Sequence, residues 1–122
     1  MGTKVLVADD EKALLLLIAA TFSGDDCIQL LTARDGDEAL RMCRQELPDV
    51  VFLDVRMPKL DGLQVCRQLK QDPQTRHLHI VILTAMAQKT DIEQGTDAGA
   101  DDYLTKPFSP SKLLEIVDAV HR

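Results

Sequence analysis

Positive charge is scarce in this sequence, with 14 lysines and arginines against 20 acidic residues and a net charge of −6 over 122 residues. That balance argues against a nucleic-acid surface within this chain. Long hydrophobic runs are missing too. The longest, Ala13 to Ala20, falls well short of the roughly 20 residues that span a bilayer. The first residues show no charged, apolar and cleavable succession of a secretory signal. Cysteines are few, and Cys27, Cys43 and Cys66 form no C-x-x-C pair. Their odd number argues against a disulfide framework and for reduced small hydrophobes in a cytoplasmic protein. His77, His79 and His121 have no metal-like spacing and are expected on the surface or in loops. Repeats, linkers and low-complexity segments are absent as well, so residues 1–122 are expected to form one domain.

What is present is an alternation of apolar strands and amphipathic helices. Val50 to Leu53 is a short apolar run bounded by turn signals, the pattern of a strand buried on both faces, and it ends in Asp54. Before it, Lys4 to Ala8 reads as a strand running into Asp9-Asp10-Glu11, and Lys12 to about Phe22 as a helix. Ile28 to Ala33 is a second strand. Asp35, with Glu38 three residues on, has the capping-box arrangement and opens a helix to about Glu46. After the Asp61-Gly62 turn come a helix over Leu63 to Lys70 and a strand over His79 to Leu83 that finishes at Thr84. A weak helix follows over Gln88 to Ala98, then a strand over Asp102 to Thr105. Ser109-Pro110 opens a last helix with Leu113, Ile116, Val117 and Val120 on one stripe. Five strands and five helices in this order imply an α/β fold, a doubly wound parallel sheet with right-handed crossovers.

Ligands of such sheets bind at the carboxyl ends of the strands. Those ends carry Asp9-Asp10, Asp54, Thr84 and Lys106, all on one edge. Two like charges about 4 Å apart repel by roughly 4 kcal/mol at an effective dielectric of 20, so three carboxylates there either raise a pKa or hold a cation. Hard oxygen ligands suit Mg2+. Taken alone, an Asp-Asp pair after a strand is as readily a helix cap, a buried lysine an ion-pair partner, and a threonine an ordinary strand residue. Together they form a phosphoryl-transfer arrangement, with a nucleophilic carboxylate and with a metal and an ammonium to neutralise the equatorial oxygens. Dinucleotide binding and P-loop chemistry are disfavoured, because neither G-x-G-x-x-G nor G-x-x-x-x-G-K-[ST] occurs. A D-x-D hydrolase is disfavoured because Arg56 stands where the second acid belongs.

Four motifs, in order, carry a resemblance: Val7-Ala8-Asp9-Asp10-Glu11, Leu53-Asp54-Val55-Arg56-Met57-Pro58 with Asp61-Gly62, Leu83-Thr84-Ala85, and Gly99 to Phe108. Over nearly its whole length the sequence resembles the receiver domain of two-component response regulators. The resemblance implies a flavodoxin-like sheet of order 2-1-3-4-5. It implies that Asp54 accepts a phosphoryl group from a histidine of a sensor kinase or histidine phosphotransfer protein. Asp10 and Asp54 would then be direct Mg2+ ligands with the backbone carbonyl of Arg56, and Asp9 would act nearby through water. Lys106 would pair with the phosphate, and Thr84 and Tyr103 would form a switch pair acting on the fourth helix, fifth strand and fifth helix. Such a module catalyses only its own phosphorylation and slow dephosphorylation, binds neither nucleic acid nor membrane itself, and controls a partner or output domain. By the same analogy the Lys106-Pro107 bond is expected to be cis. The competing class is an interaction module that keeps the fold without phosphorylation, which the intact acidic pair, Asp54, Thr84 and Lys106 disfavour.

Two details depart from the pattern or extend it. Gly95 and Thr96 leave the helix over 88–98 with only Ile92 and Ala98 as core residues, so it is expected to be loosely held. In the first helix, Leu14, Leu17, Ile18, Thr21 and Phe22 are expected to face the sheet. Leu15, Leu16, Ala19 and Ala20 then form an outward apolar patch, suited to a docking phosphodonor or to a second copy in a homodimer.

Overall fold

The computed structural model describes residues 2–24, 27–57, 59, 61–84, 98–106 and 109–121. Strands β1 (Thr3–Ala8), β2 (Ile28–Ala33), β3 (Val50–Asp54), β4 (His79–Thr84) and β5 (Asp102–Thr105) form one parallel sheet in the order β2-β1-β3-β4-β5. Helices α1 (Lys12–Phe22), α2 (Gly36–Glu46), α3 (Gly62–Gln71) and α4 (Pro110–His121) flank it. This is the expected doubly wound α/β fold, with four helices among the described residues rather than five. The expected helix over 88–98 falls on residues outside the described ones, apart from Ala98, which is buried as anticipated. The Lys106-Pro107 bond, Ile92, Gly95 and Thr96 also lie outside them.

Alternation along each strand divides the core in two. Leu6, Ala8, Val51, Leu53, Ile80 and Ile82 pack with α2 and α3 on one face. Val5, Val7, Val50, Phe52, Val81, Leu83 and Leu104 pack with Ile18, Phe22, Leu113 and Val117 on the other. The register agrees with this division, pairing Val7 with Phe52, Phe52 with Val81 and Leu83 with Leu104. Each fully buried Val, Leu, Ile or Phe contributes about 1.5–3 kcal/mol, whereas exposed ion pairs such as Arg41–Asp37 contribute about 0.2–1. The sheet core therefore sets stability.

The helix starts are fixed locally. Asp35 accepts the Glu38 N–H at 2.8 Å to cap α2. Its carboxyl is held below the usual range by that N–H, and secondarily by Lys59 at 3.7 Å. Asp61 and Gln64 form a reciprocal capping box on α3, at 2.8 and 3.0 Å. The Asp61-Gly62 signal thus marks a helix start as well as a turn.

The orientation of α1 differs from the expected one. Ile18 and Phe22 are fully buried, with Leu14 and Leu15 packed beside them. Leu15 therefore faces inward and Leu17 outward. The exposed side is Ala13, Leu16, Leu17 and Ala20, at the i, i+3, i+4, i+7 spacing of one helix face, with Leu16 62% and Leu17 49% exposed. The cause is the near-absence of polarity. From Ala13 to Phe22 only Thr21 is polar, so hydrophobic spacing could not orient the helix, and the fit of Ile18 and Phe22 against Val5, Val7 and Phe52 does.

No helix among the described residues is long and apolar enough to cross a membrane. None of the three cysteines is in a disulfide. Burial pushes the Cys43 thiol up to about 12 and the Cys66 thiol up to about 11, so both remain protonated, inert core groups.

Candidate functional site

Strand alternation puts the charged residues on one side as well as at one end. Asp9 continues the series Val5, Val7; Asp54 continues Val50, Phe52; Lys106 continues Leu104. All three lie in step with the α1 and α4 face, and they meet. The Lys106 ammonium donates to Asp9 Oδ2 at 2.8 Å and stands 3.4 Å from Asp54 Oδ2. Carboxylate oxygens of Asp9, Asp10 and Asp54 all lie within 4.8 Å of one another. Asp9 is fully buried, Asp54 nearly so, and Asp10 exposed, so the cluster opens to solvent at Asp10.

Backbone donors complete the frame. Glu11 N–H donates to Asp9 Oδ1 at 2.9 Å, and Arg56 N–H to Asp54 Oδ1 at 3.3 Å. The Lys106 N–H donates to the Thr84 carbonyl at 2.7 Å, which anchors the lysine segment to the end of β4. Thr84 is buried at that strand end. Tyr103 pairs in register with Ile82 and packs half-buried against the core on the α2 and α3 face.

The electrostatics show a deficit of positive charge. Burial, and after it the Asp9 carboxylate, pushes the Asp54 carboxyl up to about 6 despite Lys106 and the Arg56 N–H. Burial opposes the Lys106 ammonium, yet the hydrogen bond to Asp9 and the charges of Asp54 and Asp9 outweigh it and raise its pKa. One lysine is not enough to neutralise three carboxylates. A hard divalent cation fits this donor set, which offers only oxygens, one of them on an exposed side chain that leaves room for water.

Two residues that stand within the motifs were given no role of their own there. The Glu11 carboxylate lies 3.9 Å from Lys106, and besides its place in the first motif the sequence signal is a glutamate at a helix N-cap, where a shorter side chain is usual. Gly62 closes the site from behind. A Cβ there would collide with the Asp54 carbonyl oxygen and come within 2.8 Å of its carbonyl carbon.

With this geometry in place, comparison with known proteins defines the class. Residues 5–118 match the family described as the response regulator receiver domain. The chain belongs to that family and is a receiver domain of two-component response regulators, a signalling module rather than a classical enzyme. It is 45% identical, over its full length, to the alkaline phosphatase synthesis transcriptional regulatory protein PhoP of Bacillus subtilis and covers 50% of that protein. It is 42% identical to the response regulator PleD of Caulobacter vibrioides, of which it covers 27%. The chain thus spans half or less of the length of these curated relatives. Among solved structures, the receiver domain of a Francisella response regulator superposes with a TM-score of 0.88 at 36% identity, covering 98% of this chain and 97% of that one. The receiver domain of a Pseudomonas aeruginosa sensor histidine kinase superposes over 100% of both chains, with a TM-score of 0.89 at 28% identity. That protein holds a magnesium ion coordinated in its active-site cleft.

Proposed function

We propose that Asp54 accepts a phosphoryl group from a phosphohistidine donor, on a sensor histidine kinase or a histidine phosphotransfer protein, in a Mg2+-dependent reaction. The observation that supports this most is Lys106 reaching both Asp9 and Asp54 beside a carboxylate cluster. Asp10, Asp54 and the Arg56 backbone carbonyl would hold Mg2+, with Asp9 nearby, and the ion would supply charge neutralisation for the incoming phosphoryl oxygens. Asp54 Oδ attacks phosphorus, the P–N bond to the donor histidine breaks, and the imidazole nitrogen leaves with the electron pair and takes a proton. Lys106 pairs with a phosphoryl oxygen, and the Thr84 hydroxyl donates to another. Thr84 and Tyr103 then carry the change to β5 and α4, through new hydrogen bonds to a group of about −2 charge. The response is read by a partner or an output domain, in the cytoplasm, where cysteines outside disulfides are at home.

Incubation with acetyl phosphate and Mg2+ is expected to add the mass of one phosphoryl group, and EDTA to abolish the gain. Hydride reduction of the labelled protein is expected to convert residue 54 alone into homoserine. Label that persists in EDTA, or that maps to another residue, would sink the assignment.

The exposed α1 stripe is the docking face for the donor. It begins directly after Asp10 and Glu11, so a partner seated on Ala13, Leu16, Leu17 and Ala20 reaches the acidic edge. Leu16→Glu with Leu17→Lys is expected to leave acetyl phosphate labelling unchanged, because both side chains are solvated. Transfer from the cognate phosphohistidine protein is expected to slow roughly tenfold, as the apolar burial of two leucines would allow. Equal transfer rates would exclude this face, and loss of self-association in the variant would assign it to a homodimer.

A further inference from the structure

We infer that Glu11 is a positioning residue that selects phosphodonors by their charge; this rests on the reading of Asp54 as acceptor. Glu11 occupies the N-cap position of α1, yet its side chain makes no capping hydrogen bond. Its backbone is held from both sides, the N–H by Asp9 at 2.9 Å and the carbonyl by the Leu14 and Leu15 N–H groups at 3.1 and 3.2 Å. The side chain, 62% exposed, instead places Oε2 3.9 Å from the Lys106 ammonium. Lys106 therefore has three carboxylate neighbours: Asp9 buried beneath it, Asp54 at the site and Glu11 at the rim.

Glu11 has two effects, and they act in the same direction. Lys106 must leave its carboxylates to pair with an arriving phosphoryl oxygen, and Glu11 competes for it at the solvent side. Glu11 also sets the charge at the mouth. Asp9, Asp10, Asp54 and Glu11 bring four negative charges against one on Lys106, and a divalent cation adds two positive ones. The loaded site is then negative by one charge, and without Glu11 it is neutral. A dianionic small molecule meets repulsion that a donor of lower charge feels less, and that a docked phosphohistidine, held by protein contacts, overcomes.

The test compares wild type with Glu11→Gln at saturating Mg2+, using acetyl phosphate, a dianion, and phosphoramidate, whose protonated nitrogen lowers its net charge to one. The acetyl phosphate labelling rate is expected to rise roughly threefold in the variant at low ionic strength, through the apparent KM, with a smaller rise for phosphoramidate. Both differences are expected to shrink in molar salt, and Glu11→Lys to exceed Glu11→Gln. In metal-free protein the Lys106 side-chain carbon resonances are expected to shift on Glu11→Gln, with the thermal midpoint unchanged. An unchanged or slower rate, an equal gain with both donors, or a gain that survives molar salt would overturn the role of Glu11. A wild type that takes no label from either donor would overturn the acceptor reading itself.

Discussion

Asp54→Asn is expected to take no phosphoryl group from any donor and, in EDTA at pH 7, to be more stable than the wild type. The functional loss follows from chemistry, since an amide oxygen is a poor nucleophile and forms no acyl phosphate. The gain in stability follows from the cost of holding a carboxylate here. In the folded protein burial and Asp9 raise the Asp54 carboxyl from 3.8 to about 6. The folded state therefore binds the Asp54 proton more tightly than the unfolded chain does. Below pH 3.8 both states are protonated, and the site costs nothing on this account. Between 3.8 and about 6 the folded state holds more protons, so stability falls as pH rises, and above about 6 the penalty is complete. Its size is about 1–2 kcal/mol once the discount for solvent at the open Asp10 side is applied. Asparagine removes the charge with nearly the same shape. It forfeits the 3.4 Å attraction to Lys106, but burial and Asp9 outweigh that attraction, as the direction of the shift shows. Urea unfolding in EDTA checks the prediction: the variant should lead at pH 7 and converge on wild type at pH 3.5. A variant less stable than wild type at pH 7 would contradict the charge argument even if labelling were abolished.

How far the sequence could be read depended on whether the determinant was local. Val50 to Asp54 was legible because a strand buried on both faces leaves a continuous apolar run, and its one carboxylate stands out. Asp9 and Lys106 were legible because each ends a strand, and strand ends in a parallel sheet share an edge. The 2.8 Å contact between them spans 97 residues, so spacing could not join the pair, and the shared strand edge with the family motifs did. The rotation of α1 was not legible. Its leucines at 14 to 17 satisfy two faces equally, and the choice was made by Ile18 and Phe22 fitting the sheet. The contact of Glu11 with Lys106 was hidden because a third acid in an acidic run, even inside the first motif, points to no partner of its own. The importance of Gly62 was hidden for a different reason. Glycine after aspartate reads as turn chemistry, while its actual role is steric and involves a strand end that the chain has already passed.

Gly62→Ala should therefore cost stability and labelling together. Gly62 is the first residue of α3, and alanine in place of a helical glycine ordinarily stabilises by roughly 0.5–1 kcal/mol. Here that gain is reversed. The Gly62 N–H is held by the Val55 carbonyl at 3.1 Å, which draws the start of α3 onto the end of β3. The added methyl would strike the Asp54 carbonyl oxygen, lie 2.8 Å from the Asp54 carbonyl carbon and stand 3.3 Å from the Val55 Cα. These are backbone atoms of the sheet and cannot swing aside as a side-chain end would. Relief requires α3 to lift or β3 to move, and overpacking of this kind costs about 1–3 kcal/mol. Either movement shifts Asp54 relative to Lys106, so labelling is expected to slow at least tenfold under conditions where the variant is still fully folded. Gly24→Ala is the control, because a Cβ there meets nothing within 4 Å. That variant should match wild type or slightly exceed it in stability, with unchanged labelling. If Gly62→Ala proved as stable as Gly24→Ala and labelled at the same rate, the contact between α3 and β3 would not constrain the site.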